Sequence, residues 1–121
     1  MKRIGLIVVF FLVPMTFAFA SPKTVVCTLQ GLQDTISFVA PQKMGALPPI
    51  DFSYPVDTTI FSMRNGNLLL VAMDQEEKSR LRILISAQAN KNGTLYQGQF
   101  MTDSGGNELQ LDNGPVSCQL K

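Results

Sequence analysis

Val25-Val26-Cys27-Thr28-Leu29 and Val116-Ser117-Cys118-Gln119-Leu120 repeat one pattern, Val-x-Cys-x-Leu, and hold both cysteines of this 121-residue chain. Valine, cysteine and leucine recur at every second position, the period of a strand buried on one face. Both cysteines therefore point into a core, one from the first strand of the fold and one from the last. In an oxidising compartment two such thiols pair. The expectation is a disulfide, Cys27–Cys118, tying the first strand to the last.

The residues ahead of Cys27 predict that compartment. Lys2 and Arg3 precede an almost wholly apolar run, Ile4 to Phe19, and Ala18-Phe19-Ala20 fits the small-x-small cleavage rule. Residues 1–20 read as a cleaved secretory signal peptide and 21–121 as a single all-β domain, periplasmic or secreted, of bacterial type. A retained membrane anchor fits less well, because the run is short for a span and contains Pro14. Lipidation of Cys27 fits less well again, since Val26 stands where a small residue is needed.

The chain has ten Lys and Arg against nine Asp and Glu. Lys2 and Arg3 belong to the leader, so the domain carries eight against nine, a net charge of −1. With no basic cluster, this balance argues against nucleic acid as a partner and against an acidic membrane surface.

Thr24–Leu29 and Thr35–Ala40 read as the first two strands. Thr58–Met63 and Asn67–Met73 read as a hairpin around Asn65-Gly66, the pair that best tolerates the two positive φ angles of a type I′ turn. Arg80–Ala87 alternates, with Leu81, Ile83, Ile85 and Ala87 inward and Arg80 and Arg82 outward. Thr94–Thr102 follows a turn at Ala89–Gly93, and Gly98 marks a bulge or a sharp bend. Glu108–Asp112 and Val116–Leu120 read as two final strands joined by Asn113-Gly114 and Pro115. Short strands with turn signals roughly every ten residues make an all-β fold. It is a small antiparallel meander forming a closed or partly open barrel or a two-sheet sandwich, and the barrel is preferred.

The chain has no histidine. That removes Ser–His and Cys–His nucleophiles, imidazole acid–base chemistry and the usual zinc and copper sites. The cysteines are committed to the disulfide. Asp103 with Glu108, and Glu76 with Glu77, read as solvated turn charges in preference to a glycosidase pair. The Asp103–Glu108 segment lacks the alternating oxygen spacing of a calcium loop. Arg64, Arg80 and Arg82 read as solvent-facing charge, partly paired with Glu76 or Glu77. Asn92-Gly93-Thr94 reads as a hairpin turn in preference to a glycosylation site. The expectation is no catalytic residue, no metal, no cofactor and no enzymatic activity.

Pro41–Pro55, PQKMGALPPIDFSYP, stands apart. A loop of about fifteen residues without regular structure is uncommon in a compact domain and is often functional. Its prolines stiffen it, and Met44, Leu47, Ile50, Phe52 and Tyr54 give it apolar anchors. It is expected either to plug an open barrel end or to bind a partner, one face buried and the tip exposed. The functional expectation is a monomeric, non-catalytic binding or interaction module with a protein partner or other ligand on this loop. Two forms are an inhibitor of an extracellular hydrolase and a carrier of a small apolar ligand. In layout, with a cysteine in the first strand and another near the end, the chain is similar to small bacterial lysozyme-inhibitor β-barrels. It lacks a Ser-Gly-x-x-Tyr inhibitory motif, for which Ser86-Ala87-Gln88-Ala89 does not substitute, so the resemblance implies no site residue here.

A disulfide across about 90 residues restricts the unfolded chain enough to contribute about 4–5 kcal/mol in the chain-entropy account, comparable with the whole stability of a small domain. The denatured, unreduced protein should show no free thiol on titration, and reduction should unfold it at room temperature.

Overall fold

The computed structural model describes residues 23–121 apart from 34 and 44, so the leader read at 1–20 lies outside the described residues. Seven strands follow one another: β1 (Thr24–Leu29), β2 (Thr35–Val39), β3 (Val56–Arg64), β4 (Asn67–Asp74), β5 (Leu81–Ala89), β6 (Leu95–Asp103) and β7 (Leu111–Leu120). Among the described residues there is no helix. All seven strands join one antiparallel sheet in the order β2-β1-β7-β6-β5-β4-β3. The sheet coils into a half-barrel, and this settles the choice between barrel and sandwich.

Closure runs through the two cysteine strands. Cys27 pairs directly with Cys118 in the β1–β7 ladder, and the two are disulfide-bonded with Cα atoms 3.9 Å apart. Thr24 and Lys121 exchange backbone hydrogen bonds at the end of that ladder. The concave face carries the core. It takes alternate residues from every strand, such as Val25 and Leu29, Leu70 and Ala72, Ile85 and Ala87, Tyr96 and Phe100. Asn65 and Gly66 have φ of 56° and 76° and make the expected turn between β3 and β4.

The last two expected strands are one. β7 runs without interruption through Asn113-Gly114-Pro115, pairing with β6 from Leu111 to Gln119. Gly114 is not among the glycines with positive φ, so no tight turn forms there. Pro115 is tolerated for a reason of direction. A strand residue's N–H and C=O face the same neighbour, and the Pro115 carbonyl accepts from the Gln30 N–H on the β1 side at 3.1 Å. The N–H that proline lacks would face that side too, just past the last β1–β7 pair, Leu29 with Val116. The β6 ladder loses nothing.

Two bulges shape the other half of the sheet. In the β3–β4 pairing the register steps from Thr58 to Ile60, leaving Thr59 extra. In the β4–β5 pairing it steps between Ile83 and Leu81, leaving Arg82 extra. This second bulge overturns the outward placement of Arg82. The strand swivels there, and Arg82 and Ile83 are both buried.

Gly98 is not a bulge, because the β5–β6 register passes it unshifted. It marks a close approach. A Cβ at 98 would lie 1.9 Å from the Ser86 carbonyl oxygen and 2.6 Å from the Ala87 Cα. Backbone atoms cannot swing aside as a side-chain tip can. Gly98→Ala should therefore cost more than about 3 kcal/mol in urea unfolding or prevent folding. Gly114→Ala, whose Cβ would meet the Phe100 ring edge at 3.3 Å, should cost less than about 1.5 kcal/mol.

Candidate functional site

With β1 and β7 paired, the sheet's two free edges are β2 and β3, which are consecutive in the chain. Across this seam Phe38 of β2 packs edge-on against Phe61 of β3, ring centroids 5.2 Å apart. The Pro41–Pro55 loop connects the two edges and runs along the opening. Its first residues lie beside Phe61–Arg64, and its last lie beside the β1–β2 turn and Thr102.

The loop divides its anchors as the sequence reading allowed. Ile50, Phe52 and Tyr54 are half-buried and pack on the core, and Pro48 is buried. Leu47 is 51% exposed. Met44 lies outside the described residues. The far end is pinned by the Pro55 carbonyl, which accepts from the Gln75 N–H at 3.0 Å, and by the Tyr54 ring, 5.1 Å from the Arg82 guanidinium carbon.

Arg64 is exposed as expected, but Arg80 and Arg82 belong to a charged network, and Arg82 sits at its buried end. It is 3% exposed. Its Nη1 donates to Asp74 Oδ1, and its Nε donates to the Asp103 carbonyl oxygen at 2.6 Å. Arg80 grips the Asp103 carboxylate with two bonds, Nε to Oδ2 at 2.6 Å and Nη2 to Oδ1 at 3.1 Å. Its Nη1 reaches the Gly106 carbonyl at 3.0 Å. Asp103 Oδ1 also accepts the N–H groups of Gly105 and Gln110, both at 3.1 Å, holding the β6–β7 loop. Asp74 Oδ2 caps the β4–β5 turn by accepting from Glu76 and Glu77. Arg80 and Arg82 are thus ion-paired with Asp103 and Asp74 and not with Glu76 or Glu77.

These contacts set the charges. The Arg80 guanidinium first, then the N–H groups of Gln110 and Gly105, hold the Asp103 carboxyl far below the usual carboxylate range, against the opposing effect of burial. The Glu77 N–H first, then that of Glu76 and Arg82, lower Asp74. Asp103 in turn raises Arg80. A carboxylate held this way keeps its charge and makes a poor proton donor.

Two clefts flank the loop. One, about 400 Å³, opens along the β3 edge between Lys43, Ala46, Phe61 and Met63. The other, about 110 Å³, lies at the opposite end between Leu29, Ile36, Phe52, Ile83 and Thr102. Sequence reasoning found the loop but missed Asp74, Arg82 and Thr102. One signal was present: Asp103-Ser104-Gly105 is an Asx-turn sequence, and Gly105 has φ of 106°. A side chain at 105 would meet Arg82 Nη2 at 2.9 Å.

Among the described residues no helix is long and apolar enough to cross a membrane. No family model matches the chain, and no curated protein or solved structure matches it.

The ionised forms of Asp103 and Asp74 are favoured on folding, so their contribution is complete above about pH 5 and is lost as pH falls through 4 and below. Thermal melts should show Tm dropping from pH 5 towards pH 2. Asp103→Asn should lower Tm at pH 7 and flatten the acid limb, so that variant and parent converge at low pH.

Proposed function

We propose that this protein is an exported, non-catalytic binding module whose Pro41–Pro55 loop engages a protein partner. The observation that carries the reading is the division within that loop. Ile50, Phe52 and Tyr54 fasten it to the barrel, while Leu47 stands 51% exposed between prolines. A segment already held in one shape loses little conformational freedom on binding. An exposed leucine on a stiff support offers a partner apolar surface to bury.

The chemistry agrees. There is no histidine, both thiols are bonded, and Asp74, Asp103, Arg80 and Arg82 are engaged with one another. The disulfide suits an oxidising compartment, which supports export through the 1–20 leader and residence in the periplasm or outside a bacterial cell. Binding by a rigid loop on a cross-linked frame also suits inhibition of an extracellular hydrolase. The protein acts as a monomer in this reading.

Trimming the loop would strip the core of Phe52 and Tyr54, so the test alters its tip alone. A photo-crosslinking residue at position 47 should capture a partner in the producing cells that the same residue at position 109, which is more exposed at 65%, does not. Leu47→Asp should weaken binding of that purified partner at least tenfold without lowering Tm. Equal capture at both positions, or undiminished binding by Leu47→Asp, overturns the proposal.

A further inference from the structure

The smaller cleft mixes apolar side chains with those of Thr35, Asp51, Ser53, Tyr54 and Thr102. Its inner wall is the cross-strand pair Ile83 and Thr102 of β5 and β6. Leu29 and Ile36 face them from β1 and β2, and Phe52 of the loop covers one side. Thr102 is 2% exposed, and its hydroxyl is buried with no hydrogen-bond partner among the described residues. Folded proteins rarely leave a buried hydroxyl unpaired, because the lost hydration is not recovered. A valine of the same shape would avoid that cost. Thr102 lines a cleft that opens to solvent, and its hydroxyl is buried beneath the cleft surface.

We infer that this cleft is a small-molecule site for an uncharged compound bearing one hydroxyl or carbonyl group on an apolar stem. The polar group bonds Thr102 Oγ1, and the stem lies against Ile36, Phe52 and Ile83. The volume, about 110 Å³, is somewhat below that of an engineered cavity of about 150 Å³ that takes benzene. A six-membered ring enters with its outer edge at the mouth. Charge sets the class further. Asp51 stands at the rim, and the described lining includes no base, so an anion such as a fatty-acid carboxylate is disfavoured. Tyr54, fixed on Arg82, shares that rim. The site is built on different residues from the Leu47 tip and does not rest on the partner reading. A Leu47→Asp protein that has lost its partner should still bind.

Phenol, toluene and benzoate test the inference, since the first two have nearly the same shape and differ in the hydroxyl. They are titrated into the purified, oxidised protein and followed by amide chemical shifts. Phenol should give saturable shifts at Phe52, Ile83 and Thr102 and bind at least tenfold more tightly than toluene, and benzoate should not bind. Thr102→Val should erase the difference between phenol and toluene, and Thr102→Ser, which keeps the hydroxyl, should retain it. No saturable shift with phenol or toluene overturns the inference, as does an unchanged preference in Thr102→Val. A crystal structure with an ordered water on Thr102 Oγ1 that stays in place at saturating phenol overturns it as well.

Discussion

Cys27 and Cys118 sit opposite each other in the β1–β7 ladder, and that single pairing decides where the sheet is open. A seven-strand meander left to itself would end at β1 and β7. Pairing those two moves the free edges to β2 and β3, next to each other in sequence, and obliges their connection to pass over the gap. An exposed edge invites further strand pairing. Here β2 is only five residues long, β3 is bulged at Thr59, and a proline-rich segment lies over both. The disulfide holds this arrangement by limiting the unfolded chain, and the core inside the half-barrel is the same one the cysteines face.

The buried charges are best understood as fixing positions. Exposed ion pairs contribute little, and buried ones recover their desolvation only with good geometry and further hydrogen bonds. The Arg80–Asp103 pair meets that condition, with two bonds between them and two backbone N–H groups completing the carboxylate. Arg82 then links three pieces of chain that share no strand pairing with one another: the end of β4, the end of β6 and the last residues of the loop. Removing Arg82 would leave Asp74 half-satisfied and Tyr54 without its cation. The loop's inner half depends on a residue far from it in sequence.

Much of the fold was legible because it depends on period and turn chemistry. Alternation in Thr24–Leu29 and the Asn65-Gly66 dipeptide each specify their local structure without outside help. The failures share a physical cause. Asn113-Gly114-Pro115 has turn composition, but the ladder to β6 holds it straight, and only the direction of the Gln30 bond shows why proline fits. Arg82 obeys the alternation as an outward residue, yet one extra residue in β5 swivels it inward, and a bulge leaves no mark on hydrophobic period. Of the site, the loop was evident from its length and prolines. The charged network and Thr102 were not: the ion-pair partners are 8 and 23 positions apart, and the groups around Thr102 meet only in the coiled sheet.

A chain is made from its N-terminus, and β1 needs β7. Through most of synthesis the first strand has only β2 beside it, and a lone two-stranded hairpin is marginal in water. The contiguous run from β3 to β6 has near neighbours at every step and can assemble first. Docking the β1–β2 arm on β7 bridges 91 positions and carries the largest loop-closure cost in the sheet. Until that moment Cys27 is a free thiol. The topology thus favours an order in which the oxidising step follows assembly of the rest of the sheet.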